Sequence, residues 1–490
     1  MKLDDLLKKV ACLSVKGPTD RPVAGIAYDS RQVRQDYVFV AIPGGHRDGM
    51  EFADDAVRRG AGVIVSVPGR FAPKDVTHVQ VQSIRRALAE LADAFHNHPS
   101  ARLCTVGITG TNGKTTTAFL VRDMLAAEGR APGLIGTVQY EVGARILPAS
   151  RTTPESADLQ GLLDQMLHAG CKSVAMEVSS HALDQDRVAG IDFDAAVFTN
   201  LTRDHLDYHE TMGRYFEAKR RLFLSLGKGA KQATAIINVD DSWGKTLIAY
   251  NEISANIVTY GFGPEAVVRA EEVRLSEAGS EFRVMSPWGE SRVRLGLLGR
   301  FNVYNALAAY AVGRALGLDE RRVVESLAAR KGVPGRLEEI PTGRRWRVFV
   351  DYAHTDDALE NALQTLRSVT PGRLIAVFGC GGNRDQTKRP LMGAVAARLA
   401  DFSILTSDNP RREDPLAILE QIQAGFGSHR NCNKVEDRRL AIRTALGMAR
   451  EGDVVLIAGK GHETTQEFAN TIVPFDDRQV AGALLQELPD

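Results

Sequence analysis

Residues 105–121 read TVGITGTNGKTTTAFLV, and their order decides the fold. A short β-rich run, Thr105 to Thr109, meets the loop Gly110-Thr111-Asn112-Gly113-Lys114-Thr115 and passes into an apolar helical pattern. Glycine removes the Cβ that would keep backbone N–H groups from wrapping an anion. Lys114 supplies a positive charge at the outer phosphates, and Thr115 a hydroxyl for Mg²⁺. The helix that follows points its positive end at the same place. The usual GxxxxGK[ST] spacing asks for glycine at 108, where this chain has Ile108; its glycines fall at 107 and 110. A tight turn with a surface lysine is the plainer alternative. The conjunction of strand, loop, GKT and helix favours nucleotide binding over it.

The same alternation spreads outward from this stretch. SVAMEV (173–178), AAVFTN (195–200) and TAIINV (234–239) are short, β-rich and bounded by turn signals. Helical patterns such as SADLQGLLDQMLHAG (156–170) lie between them. This predicts βαβ units and a mostly parallel sheet covered by helices. Three blocks follow. The first, 1–100, contains VFVAIPG and AGVIVSV and ends near the polar HNHPSARL. The second, 101–333, holds the phosphate loop. The third, 334–490, begins at Pro334-Gly335 and carries WRVFVDYAH, LIAVFGCGG, FSILTSDNP and DVVLIAGKGHE. Their strands end in polar or Gly-rich loops, where α/β proteins place ligands.

Composition agrees with this reading. A chain of 490 residues has room for about three domains. Hydrophobic residues make up 44% and charged residues 25%, the balance of a globular protein. Lys+Arg and Asp+Glu are both 61, so a general polyanion-binding surface is excluded and no nucleic-acid partner is expected. Five scattered cysteines without a CxxC pair point to a reducing compartment. The start, MKLDDLLKKVACLSV, does not look like a secretory signal, and no apolar run is long enough to span a membrane. A cytoplasmic protein is expected.

Two further strand ends bring polar groups towards the loop. SVAMEV delivers Glu177 and then Ser179, Ser180 and His181; AAVFTN delivers Asn200 and then Asp204 and His205. Glu177 is a candidate Mg²⁺ ligand, because a hard cation takes carboxylate oxygen. His205 is a candidate second ligand or proton carrier. A helix-cap partner and a satisfied core histidine are the plainer readings; clustering at one sheet edge favours function. Lys219, in the helical YFEAKRRLF, is not singled out by its spacing.

Taken together, GTNGKTTT, TTPES, MEVSSHALDQDRV, TNLTRDHLDYHE, YFEAKRRLF, GRFNVYNALAA, GVPGRLE and DYAHTDDALENAL resemble, in order and over nearly the whole chain, the Mur ligases. These ATP-dependent enzymes extend the UDP-linked peptide of the bacterial cell-wall precursor. TSDNPRREDP and AGKGHE resemble the branch that adds meso-2,6-diaminopimelate to UDP-N-acetylmuramoyl-L-alanyl-D-glutamate. The resemblance implies an α/β protein of three domains. A central P-loop parallel-sheet ATPase domain would be flanked by an N-terminal UDP-binding domain and a C-terminal Rossmann-like domain that takes the amino acid.

It also implies roles. Gly110, Thr111, Asn112, Gly113, Lys114, Thr115 and Thr116 would hold the ATP phosphates, and Asn302, Arg336 and Asp351 the rest of ATP. Thr115, Glu177, His205 and a carbamylated Lys219 would surround Mg²⁺; Lys114, Lys219 and His205 would be catalytic. Ser30, Thr152, Thr153, Ser179, Gln185 and Arg187 resemble contacts to the UDP-muramoyl dipeptide. Arg151 departs from the Asn that relatives carry before the Thr pair. Arg389, Asp408, Asn409, Pro410, Arg411, Gly459 and Glu463 resemble the diaminopimelate pocket. A monomer is expected.

The implied chemistry is physically coherent. A carboxylate is a poor electrophile, and phosphoryl transfer from ATP makes it an acyl phosphate that an amine can attack. An arginine fork suits the second carboxylate of diaminopimelate, which lysine lacks. Two rival classes of function fit parts of the sequence. GCGGNRD (379–385) resembles a dinucleotide loop without the GxGxxG spacing and would fit an oxidoreductase. A non-catalytic nucleotide-binding regulator would bind ATP and release no phosphate.

Overall fold

A computed structural model describes residues 1–44 and 47–488 and shows three α/β domains, each built on its own sheet. The first sheet has five strands in the order Cys12–Lys16, Thr77–Val81, Ala61–Ser66, Tyr37–Val40 and Gly25–Ala27. All but the outer Cys12–Lys16 pair in parallel.

The middle sheet has eleven strands. Its parallel centre runs Asn256–Gly261, Thr234–Asn238, Ala195–Phe198, Cys104–Thr109, Ser173–Glu177, Pro132–Ile135. The inner strands are nearly continuous apolar runs because helices cover both faces, while the outer Asn256–Gly261 is buried only towards its end. Lys114–Ala127 and Arg300–Ala315 lie together on one face. The second of them buries Val303 and the run Ala306–Val312, its alanines permitting close approach. The sequence reading did not foresee the antiparallel meander Val268–Ser276, Gly279–Ser286, Gly289–Leu295 at one edge of this sheet. Its strands alternate buried and exposed residues, one face packed and one in water, and so lack the apolar runs that marked the others.

The third sheet orders Glu338–Ile340, Arg347–Asp351, Val454–Ala458, Leu374–Phe378, Phe402–Leu405 and Cys432–Lys434. A separate hairpin, Thr465–Phe468 with Thr471–Pro474, stands beside it. The parallel strand ends of the middle and third domains supply the loops of the site. The five cysteines are free thiols. No helix among the described residues is long and apolar enough to cross a membrane.

Candidate active site

The loop after Cys104–Thr109 takes its shape from two glycines in the left-handed region, Gly110 at φ 146° and Gly113 at φ 86°. A Cβ on Gly110 would lie 1.8 Å from Thr199 Oγ1, and one on Gly113 would lie 2.3 Å from Asn305 Oδ1. Both positions are closed to any larger residue by conformation and by space. Ile108, where the standard motif has glycine, is a fully buried strand residue, and the anion loop starts after it.

Two lysines converge on this loop. Lys114 Nζ donates to the carbonyls of Gly110 (2.9 Å) and Thr111 (2.7 Å), and Lys219 Nζ donates to Gly110 O (2.8 Å). Lys219 is 1% exposed and its Nζ stands 4.6 Å from the Tyr215 ring centroid. Burial, reinforced by Lys114, pushes its ammonium well below the usual lysine range. Burial lowers Lys114 as well, opposed by Glu177 and Asp204. Two lysines crowded into one buried, low-dielectric corner disfavour a second positive charge, and an anion between them would relieve it.

Glu177 ends its strand directly beside the loop. It accepts hydrogen bonds from Thr115 Oγ1 (3.1 Å), from the Thr137 amide (2.8 Å) and from Thr137 Oγ1 (2.9 Å). Thr115 hydroxyl and Glu177 carboxylate therefore form a buried pair of hard oxygen donors. No set of three or more His, Cys, Asp or Glu side chains is arranged to hold a metal among the described residues. The two-oxygen corner fits Mg²⁺, which draws most of its shell from phosphate and water. His205 lines the same cavity in the left-handed conformation (φ 54°), its ring 4.8 Å from His181 and its Nε2 3.4 Å from Asp204. Burial holds its pKa far down, so the imidazole is neutral.

The third domain closes the cleft. Arg336 donates to Thr115 Oγ1 (3.0 Å) and lies over the Tyr352 ring. Asp357 accepts from Asn112 Nδ2 (2.6 Å) and Thr202 Oγ1 (3.2 Å), so the phosphate loop itself is tied to a helix of that domain. Asp351 accepts the amides of Leu337 and Ala353. Burial raises its pKa, with Arg336 and those amides opposing. Asn302 donates to Leu298 O and accepts from Asn305. The cleft between the two domains has a volume of about 640 Å³ and is lined by the phosphate loop, Glu177, His205, Lys219, Arg336 and Asp351.

Thr152 and Ser179 also line this cavity. Thr153 bonds Glu177 O and the Ser179 amide, and Arg187 joins Thr153 O (3.0 Å) to Gln185 (2.8 Å). Glu155 draws Arg85, Arg151 and Arg187 together, linking the first domain to the second. Ser30 lies apart, buried in the first domain at the start of a short 3₁₀ turn.

The amino-acid residues form a neighbouring cluster. Asn409 Nδ2 donates to Glu463 Oε2 (3.0 Å), and Gly459 packs where a Cβ would stand 2.6 Å from Asp408 Oδ2. Arg411, at φ 51°, donates through Nε to Glu467 (2.9 Å) and through NH1 to Gly382 O (2.8 Å). Arg389 is fully buried and forks onto Glu413, so it supports the loop from beneath. Glu413 and Glu467 were missed because their partners, Arg389 and Arg411, are remote in sequence, and Lys460 because its contact with Asn409 is. Tyr352 links the two sites: its ring faces Arg336 and its hydroxyl reaches Glu463 (3.4 Å). The glycines of 379–382 serve packing, since a Cβ on Gly379 would lie 1.9 Å from Thr406 O and one on Gly382 1.9 Å from Pro410 O. Packing alone therefore accounts for these glycines, without a dinucleotide.

Family profiles match each domain: "Mur ligase family, catalytic domain" at 22–96, "Mur ligase middle domain" at 108–313, and "Mur ligase, glutamate ligase domain" at 335–461. The chain belongs to the Mur ligase family. A relative from Geobacillus kaustophilus, named UDP-N-acetylmuramoyl-L-alanyl-D-glutamate--2,6-diaminopimelate ligase, is 47% identical and covers 99% of this chain and 100% of its own. One of the same name from Caldanaerobacter subterraneus subsp. tengcongensis is 44% identical over 99% of both. A solved structure of a ligase of that name superposes with a TM-score of 0.70 at 33% identity, covering 99% of both chains. A MurF ligase from Thermotoga maritima in complex with ADP shares the fold at a TM-score of 0.63 and 21% identity, over 94% of this chain and 96% of that one.

Proposed function

We propose that this Mur ligase adds meso-2,6-diaminopimelate to UDP-N-acetylmuramoyl-L-alanyl-D-glutamate, consuming ATP through an acyl phosphate, in peptidoglycan precursor synthesis. The observation that carries the reading is the Asp408–Arg411 loop packed against Gly459 and Glu463, in a chain collinear with relatives of that name. In this reading Lys114 and the loop amides of residues 110–116 bind phosphates, while Arg336, Asp351 and Asn302 secure the nucleotide. Thr115 and Glu177 hold Mg²⁺, with His205 beside them; the ion, when bound, screens phosphate charge. Ser30, Thr152, Thr153, Ser179, Gln185 and Arg187 take the UDP substrate. Arg411 reads the distal carboxylate of the incoming amino acid, Glu463 its ammonium, and Asp408, Asn409, Pro410 and Gly459 shape the pocket over Arg389.

Lys219 fits the carbamylated role on physical grounds. Carbon dioxide adds only to a neutral amine, and burial beside Lys114 favours that form. Addition to the neutral amine, with release of one proton, would place an anion instead of a second cation at the metal corner. The protein acts in this account as a cytoplasmic monomer with blocks 1–100, 101–333 and 334–490. Incubation with the UDP dipeptide, ATP, Mg²⁺ and either diaminopimelate or lysine, followed by product mass, tests the reading. A mass gain of one diaminopimelate residue is expected, and ATP hydrolysis without any ligated product would refute it.

A further inference from the structure

Among the fully buried cations of the described residues, Lys460 has been given no role above although it touches the amino-acid loop. Lys460 follows the strand Val454–Ala458 and sits between two left-handed glycines, Gly459 at φ 113° and Gly461 at φ 53°. That turn sends its side chain under the amino-acid loop, where it has no solvent exposure. Its Nζ donates to Asn409 Oδ1 (3.0 Å) and to Glu463 Oε2 (2.9 Å). Asn409 Nδ2 donates to the same Glu463 oxygen, closing a triangle, and Asn409 Oδ1 also accepts the Glu467 amide (3.0 Å).

An ammonium has donors only. It therefore fixes which end of the Asn409 amide faces inward and forces Nδ2 towards Glu463. It also anchors one Glu463 oxygen, leaving Oε1, whose hydrogen bond among the described residues comes from the Tyr352 hydroxyl at 3.4 Å. A buried ammonium holds such a geometry firmly because breaking either bond leaves a charge unsatisfied. We propose that Lys460 is a positioning residue that sets Asn409 and Glu463 for the ammonium end of the incoming diamino acid. The proposal rests on the diaminopimelate reading above.

The test is steady-state kinetics of the full chain as Lys460→Met and as Lys460→Gln, which keeps a donor and loses the charge, together with thermal melts. The KM for diaminopimelate should rise at least tenfold in the Met variant and less in the Gln variant. The KM values for ATP and the UDP dipeptide should stay within twofold. A diaminopimelate KM within twofold of wild type, or all three rising in parallel with a lowered melting temperature, overturns the proposal. Wild-type enzyme that joins no diaminopimelate sinks the functional reading instead, so the two failures are separable.

Discussion

The phosphate corner and the amino-acid pocket solve similar problems with different materials. The phosphate corner is mostly backbone: two left-handed glycines, a helix start and carbonyls that anchor Lys114 and Lys219. The amino-acid pocket is mostly side chain: Arg411 on Glu467, Arg389 on Glu413, Lys460 on Asn409 and Glu463, and Arg438 on Asp477 beneath them. A backbone site recognises a phosphate without regard to what carries it. A side-chain pocket can discriminate between amino acids, and it depends on a network of buried charge to hold its shape.

The largest expected effect strikes the backbone site through the lysine that ends its loop. Lys114→Ala should cut ATP-dependent phosphate release by about a thousandfold, the scale of losing a preorganised charge, with the melting temperature unchanged. A loss below tenfold would mean the loop amides suffice. Next comes the network. Arg438 and Asp477 are both fully buried and doubly bonded, and Arg438 also holds the carbonyls of Ser407 and Ala458, the residues before Asp408 and Gly459. Asp477→Ala should cost about 3–5 kcal/mol, the usual cost of stranding a buried charge, measured by urea unfolding. A cost under about 1 kcal/mol would show that the pair is not structural.

Between the two regions stands the Asn112–Asp357 bond. Asp357→Ala should lower kcat/KM for ATP about tenfold, about one hydrogen bond to a charged group, without changing the preference among amino acids. A changed preference would show that the two sites are not separable. The smallest effect is on pH. Burial lowers His462 to about 3 and His209 to about 4, against an ordinary value of 6.5. Below pH 6.5 the unfolded chain binds protons that the folded one refuses, so stability is present above 6.5 and falls as the pH drops towards 4. His462→Phe, which keeps the ring beside Tyr352, should flatten that fall in melts from pH 7 to 4.5. An unchanged slope would contradict it.

The same contrast explains what could be read in the sequence. Gly110, Gly113 and Lys114 are contiguous and their residue types are dictated by backbone geometry, so the strand–loop–helix was legible, as was the three-domain α/β fold. Glu177 followed from the rule that parallel strand ends gather ligands. Lys219 could not be found by spacing, because its burial depends on packing against Tyr215 and the loop carbonyl. Glu413 and Glu467 were invisible for the same reason, since each acts on a partner from another segment, and Lys460 because only its burial under Asn409 marks it out. The edge meander at 268–295 was missed because its strands alternate instead of running apolar.

The most direct measurement offers equimolar diaminopimelate and lysine in one reaction, to wild type and to Arg411→Ala, and weighs the products. The account predicts diaminopimelate product alone from wild type, and a preference reduced by about a hundredfold in the variant, whose guanidinium is gone. Equal incorporation of lysine by wild type, or an undiminished preference in Arg411→Ala, would contradict it.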